Sequence, residues 1–185
     1  MWFLAPKIMA DIYFSSDTHF NHDNIRHYCD RPFESIIQMN GTIKRNWSNT
    51  VDKDDTVYFL GDFCFEKKGL DTLQDYINFL PGHIVFFKGN HDPSKLKGLD
   101  SANMKICGFN IFMTHIPPED GINLLFFPDL ILCGHVHEKW KSKILTIGKI
   151  SIPMINVGVD QWDFKPVNIK TILKEYRKIK NNDRH

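Results

Sequence analysis

Asp17-Thr18-His19 and His135-Val136-His137 each set two metal-binding side chains two residues apart. In an extended segment residues two apart face the same side, so each triplet can present both donors to one ion. Asp62, Asn90 and His115 stand singly along the chain between them. Together these side chains offer four imidazoles, two carboxylates and an amide. A tetrahedral zinc takes fewer donors; the set suits two borderline divalent ions sharing a carboxylate. Two dications about 3.5–4 Å apart bind phosphate oxygens, offset charge in the transition state and lower the pKa of a shared water toward about 7. Hydroxide is then available at neutral pH for attack on phosphorus. No Ser or Cys nucleophile is required. Each residue alone has an ordinary reading, because an Asp after a strand commonly caps a turn and a His beside apolar residues is usually a satisfied core or surface group. The argument for a metal site lies in their joint occurrence.

The elements that must position these residues are legible around them. Residues 11–15, 56–60, 84–88, 111–114 and 130–133 are short apolar runs rich in β-formers, which read as buried strands. Each delivers a polar residue at its C-terminal end: Asp17, Asp62, Asn90, His115 and His135. Ligands bind at the carboxyl ends of strands in layered α/β sheets, so the separate segments converge there. Gly61, Gly89 and Gly134 are expected to turn the chain sharply after a strand and to leave room for metal or substrate. Residues 34–47 place Ile36, Ile37, Met39 or Asn40, Ile43 and Trp47 at helical spacing, and 70–80 place Leu73, Tyr76, Ile77 and Leu80 likewise. Alternating strands and helices predict a mixed or parallel sheet flanked by helices. Beyond Gly134, 143–147 and 154–157 read as strands, and 166–178 as a short strand or helix. A single domain over 1–185 is expected, with residues 1–10 an N-terminal extension and 180–185 a frayed tail.

Composition excludes several classes. With 185 residues, 42% of them hydrophobic, the chain can bury a core without staples. A net charge of +1 gives no electrostatic reason for a long polyanion as obligate partner. Cys29, Cys64, Cys107 and Cys133 form no C-x-x-C pair, so reduced, mostly buried thiols and a cytoplasmic location are expected. No run of 18 uncharged apolar residues predicts a membrane span.

Asp17-x-His19, Gly61-Asp62, Gly89-Asn90-His91-Asp92, His115 and Gly134-His135-x-His137 resemble, complete and in order, the motif series of the calcineurin-like metallophosphoesterases. The resemblance implies a four-layer α/β/β/α sandwich of two mixed sheets. It implies that Asp17, His19 and His137 hold one metal, that Asn90, His115 and His135 hold the other, and that Asp62 bridges them. The cofactors would be two divalent ions, manganese first, with iron, zinc and nickel as alternatives. His91 would not be a ligand; it would reach the substrate phosphate as general acid or charge stabiliser. Asp92 is read either as orienting a ligand or His91, or as capping the turn before Pro93.

His22, Asn24 and Arg26 follow the first motif closely and are candidate substrate contacts, against a solvated loop. Arg26 and Arg31 are weighed as phosphate clamps against surface charges. The His-x-Asn-Ile and Arg-Pro-Phe stretches also resemble small bacterial and phage-type members. Protein serine/threonine phosphatases continue their second motif as G-D-x-x-D-R-G, whereas here Phe65 stands in place of that Asp. A small phosphodiester or phosphomonoester is therefore expected, nucleotides included, with phosphodiesters preferred. A nuclease acting on DNA or RNA and a non-catalytic metal-binding scaffold are the alternatives; no membrane partner is expected, and the oligomeric state is left open. Lys139, Lys141 and Lys143 read as a solvated strand face, and Phe126-Phe127-Pro128 as buried or as an apolar lip.

Overall fold

A computed structural model describes residues 10–119 and 126–182. The predicted N-terminal extension falls almost wholly outside them. β1 (Ile12–Ser15) and β2 (Thr56–Leu60) are apolar runs largely buried on both faces, and β3 (His83–Phe87) is a half-buried edge strand, which suits parallel strands under a helical layer. They pair in parallel in the order β3-β2-β1, and a two-residue strand after Trp162 adds antiparallel to β1. The second sheet contains β4 (Ser101–Ile106), β5 (Phe109–Thr114), β6 (Leu130–Cys133), β7 (Ser142–Ile147) and β8 (Ile150–Asn156), in the order β4-β5-β6-β8-β7. β5, β6 and β8 are parallel, and the edges β4 and β7 run antiparallel. Both sheets are mixed, as expected. The short strand beside β1 is β9 (Val167–Asn168).

Alternation along the strands distributes the core. Phe14, Leu60 and Phe87 from the first sheet meet Ile111, Met113, Leu130, Leu132 and Ile155 from the second in one buried cluster. The other face of the first sheet packs Tyr13, Val57 and Phe59 against Met39, Ile43 and Trp47 of α2 (Ile36–Ser48, following the short α1, Ile25–Tyr28) and Leu73 and Tyr76 of α3 (Leu73–Phe79). Helix α2 contains a mid-helix Gly41, which costs about 1 kcal/mol relative to Ala. Each of its large buried side chains contributes about 1.5–3 kcal/mol by leaving water, so burial decides the helix. Ser35 caps it by accepting from Gln38 N, and Thr72 with Asp75 forms a capping box on α3. Helix α4 (Ile169–Asn182) adds Ile172 and Leu173 to the inter-sheet cluster. On the outer face of the second sheet, Ile131, Leu145, Ile152 and Met154 gather with Phe112 and Trp140, and Phe126 sets its ring edge-on to Phe112 at 5.6 Å.

Several details differ from the sequence reading. Ile37 is 71% exposed, because the buried stripe of α2 runs through Met39, Asn40, Ile43 and Trp47 instead. Strand β4 was not anticipated: its Asn103 and Lys105 are exposed on an edge, so it lacks a hydrophobic run. The turn into β5 is Cys107-Gly108, both at positive φ, the backbone of a tight hairpin without its usual Asn-Gly signature. Pro153 lies inside β8 rather than ending it. Residues 166–178 are both alternatives in succession, β9 and then α4, which runs to Asn182; the rest of the tail expected to fray, 183–185, lies outside the described residues. Among the described residues no helix is long and apolar enough to cross a membrane.

Candidate metal centre

The parallel strands of both sheets end on one edge of the molecule. Ser16, just past β1, bridges Gly158, just past β8, so the two sheets meet there. Backbone hydrogen bonds then continue beyond the strands: Asp17 N donates to Gly61 O, His19 N to Asp62 O, and Gly134 N to His115 O. Asp17, His19, Asp62, His135 and His137 all adopt positive φ, between 45° and 70°. Side chains with a Cβ seldom take that backbone, and its concentration here points to a functional constraint.

The left-handed turns aim the side chains inward. Nε2 of His19 lies 4.0 Å from an Asp17 oxygen and 3.5 Å from Oδ2 of Asp62. Nε2 of His137 lies 3.9 Å from Asp17 Oδ1, and Nε2 of His115 lies 3.3 Å from Asp62 Oδ2 and 3.0 Å from Asn90 Oδ1. Nδ1 of His115 donates to the carbonyl of Leu60 at 2.7 Å, which leaves Nε2 as the free donor atom. His135 sets its ring edge-on to His115, with centroids 5.3 Å apart, and its backbone N–H donates to the Asp17 carboxylate. Two groups thus form whose donor atoms lie within 4.8 Å of one another: Asp17 with His19 and His137, and Asp17 with Asp62 and His115. Both ring nitrogens of His19 and Oδ2 of Asp62 are buried without a hydrogen-bond partner. A buried polar atom left in that state costs about 1–3 kcal/mol, and a cation in each group would supply what these atoms lack. The donor set fits a pair of divalent ions.

Residues 11–173 match the calcineurin-like phosphoesterase superfamily domain. The chain belongs to that superfamily. It is 37% identical over 172 residues to the uncharacterized protein MJ1445 of Methanocaldococcus jannaschii, covering 93% of this chain and 94% of that one. It is 26% identical to the gene 66 protein of Mycobacterium phage L5, over 83% of this chain and 88% of the phage protein. The crystal structure of AQ665, a protein of unknown function from Aquifex aeolicus, aligns with a TM-score of 0.68 at 26% identity, covering 90% of this chain and 99% of that one.

Electrostatics in this calcineurin-like site reflect burial working against charge. Burial raises the Asp17 carboxyl. It would raise Asp62 too, but His115, His19 and the His91 N–H outweigh it and bring Asp62 to about 2. Burial would lower His115, yet Asp62 and Asp17 lift it to about 9, while His19 is held well below the ordinary imidazole value by desolvation. Two buried carboxyl groups set among buried imidazoles form a site that added positive charge would stabilise.

Asp92 acts on the backbone. Its oxygens accept from Asp62 N, Phe63 N and Gly89 N at 2.7–2.9 Å, which ties the Gly61-Asp62 turn to the Gly89-Asn90 turn. The backbone N–H of His91 donates to Asp62 Oδ1 at 2.8 Å, and its imidazole is exposed. Phe65 stands among three histidines: its ring stacks on His22 at 4.3 Å and lies 6.0 Å from both His19 and His91. His22 thereby faces the centre, with Nδ1 buried and unpartnered. Asn24 is exposed at the start of α1, and Arg26 is engaged locally by Asp23 and the Phe33 carbonyl. Arg31 is neither of the things weighed for it. It is buried, 4% exposed, in an ion pair with Asp160. Lys141 is likewise not a plain solvated lysine, since its ammonium sits 3.8 Å over the Trp162 ring. Cys64 and Cys133 are buried free thiols.

Two supporting residues carried no signal in the sequence. Asp160 follows β8 and accepts from Nδ1 of His137; Asn156 donates to the carbonyls of His137 and Trp140 and accepts from Gly158 N. Each acts on a motif more than fifteen positions away, and neither stands in a recognisable pattern.

Proposed function

We propose that this protein is a dinuclear metal-dependent phosphoric ester hydrolase for a small phosphoester, with phosphodiesters preferred and nucleotides among the substrates. The observation that carries the reading is the cluster of buried, unpartnered donor atoms of His19 and Asp62 at the meeting edge of the two sheets. Asp17, His19 and His137 would hold one ion, Asn90, His115 and His135 the other, and Asp62 both. Manganese is the first choice; iron, zinc and nickel suit the same donors. When bound, the ions supply Lewis-acid stabilisation of phosphate and a nucleophile from water at neutral pH. His91, exposed beside Asn90, supplies a proton or positive charge to the departing oxygen. His22, braced by Phe65, would contact the phosphate. Asn24 and Arg26 are weaker substrate contacts, because Arg26 already has its guanidinium engaged.

Phe65 also argues against phosphoproteins as substrates, since no carboxylate stands there to pair with His91. The test is a phosphoester panel with metal-reconstituted protein, spanning mononucleotides, cyclic nucleotides, bis-p-nitrophenyl phosphate and short oligonucleotides. Turnover of the small diesters is expected. Exclusive cleavage of nucleic acid would favour the nuclease, and no turnover of any ester would leave a metal-binding scaffold. Asp62→Asn should lose metal and activity together, measured by elemental analysis on the same sample; full turnover with both ions absent would overturn the assignment.

A further inference from the structure

We propose that Asp160 and Arg31 are positioning residues that aim the His137 imidazole at the ion it shares with Asp17 and His19. Asp160 lies in the 3-10 turn Val159–Gln161, which leaves the end of β8 and returns beside the His135-His137 segment. Its Oδ2 stands 3.2 Å from Nδ1 of His137. A carboxylate only accepts, so Nδ1 carries the proton and the lone pair of Nε2 points away from Asp160, toward Asp17. Gln161 Nε2 and Asn156 Nδ2 both donate to the His137 carbonyl at 2.8 Å, holding the backbone of the same residue.

Arg31 completes the arrangement from the opposite side. Its Nε and Nη2 grip both oxygens of Asp160 at 2.7 and 2.8 Å. The same Nη2 donates to the Asp17 carbonyl at 2.7 Å, and Nη1 to the Thr18 carbonyl at 3.1 Å. One guanidinium therefore fixes the backbone that carries Asp17 and His19 and also the carboxylate that orients His137. The three candidate ligands that this ion does not share are referred to a single buried pair, with side chains 0% and 3% exposed. A buried ion pair is a poor way to stabilise a fold, because desolvation offsets its attraction and apolar residues of similar volume do as well. Its geometry makes sense as an orienting device: a carboxylate on the far nitrogen of a ligating histidine fixes tautomer and ring, and loss of such a partner typically costs 10–100-fold in metal affinity.

The inference rests on the two-ion reading above. Its test is titration of the full-length apo-protein with Mn2+, following free ion to resolve each binding event. Wild type is expected to take up two ions. Asp160→Ala should weaken one of them by about 10–100-fold and leave the other unchanged. Asp160→Asn, whose amide oxygen can still accept from Nδ1, should recover most of that loss. In a His137→Ala background, Asp160→Ala should add nothing, because the partner it orients is gone. If Asp160→Ala does not fold, with Arg31 left buried and unpaired, the double variant Arg31→Met/Asp160→Leu carries the same comparison. Two ions bound as tightly as in wild type, or an equal loss in the His137→Ala background, would overturn the positioning role alone. Failure of wild type to bind any Mn2+ would overturn it together with the two-ion reading.

Discussion

Five of the seven candidate ligands hold a left-handed backbone, at a cost of about 1–3 kcal/mol for each residue with a Cβ. Glycines were expected to make these turns. Of the three, only Gly61 has positive φ; Gly89 and Gly134 are there for space. A Cβ on Gly134 would collide with Ser16 Oγ and Asp17 Oδ2, and one on Gly89 with Asp62 Oδ1. Gly134→Ala should therefore destabilise the protein by about 1–3 kcal/mol in denaturant unfolding, as overpacking does, and should lower metal stoichiometry because Asp17 is displaced. Retained stability with two ions bound would count against this packing argument. His91 leads to the opposite expectation. Its imidazole is exposed and its structural tie is a backbone N–H, so His91→Ala should keep both ions while kcat falls about 10²–10⁴-fold, most for esters with poor leaving groups. Elemental analysis finding one ion missing from that variant would make His91 a ligand.

The elements were readable where burial imposes a period. Helix α2 follows its buried stripe, and the error at Ile37 is a choice between neighbouring faces of one helix. Edge strand β4 was missed because half-exposed strands carry little hydrophobic signal. Caps set where the helices begin: Thr72 accepts from Asp75 N, and the Asp75 carboxylate accepts in return from Thr72 N and Oγ1. These hydrogen bonds hold the Asp75 carboxyl below its ordinary value. A group whose pKa is depressed on folding stabilises the fold above its unfolded pKa, and this contribution fades as pH falls through the folded value. Thr72→Ala should cost about 1 kcal/mol by denaturant unfolding and leave turnover unchanged, since α3 supplies no candidate ligand. A matching loss of activity would mean that α3 positions the site as well.

At the scale of the molecule, two sheets are joined at one end by the Ser16–Gly158 bridge, and the candidate metal centre lies along that seam. Ions bound there would link strand ends of both sheets. Ligand binding to the folded state alone stabilises by about 2.7 kcal/mol at a hundredfold excess over Kd. Added Mn2+ should accordingly raise Tm progressively with free ion, and chelation should lower it; a Tm indifferent to Mn2+ across millimolar concentrations would argue against an ion at the seam.

The amino-acid sequence by itself determined which residues are the candidates for the chemistry, because metal donors have narrow chemical identities and stand at strand ends that periodicity reveals. It also determined the family, through a motif series too long to arise by chance. Only the tertiary structure decided what holds those donors in place. Asp160 and Asn156 act on a motif far away in sequence through side-chain hydrogen bonds, which leave no periodicity and no local motif; Arg31 and Asp92 stand in quoted motifs, but the partners they hold are visible only in the fold. The same holds for the left-handed turns at Asp17 and His19: Asp and His take such a backbone more readily than most residues, but the sequence does not say which of them do.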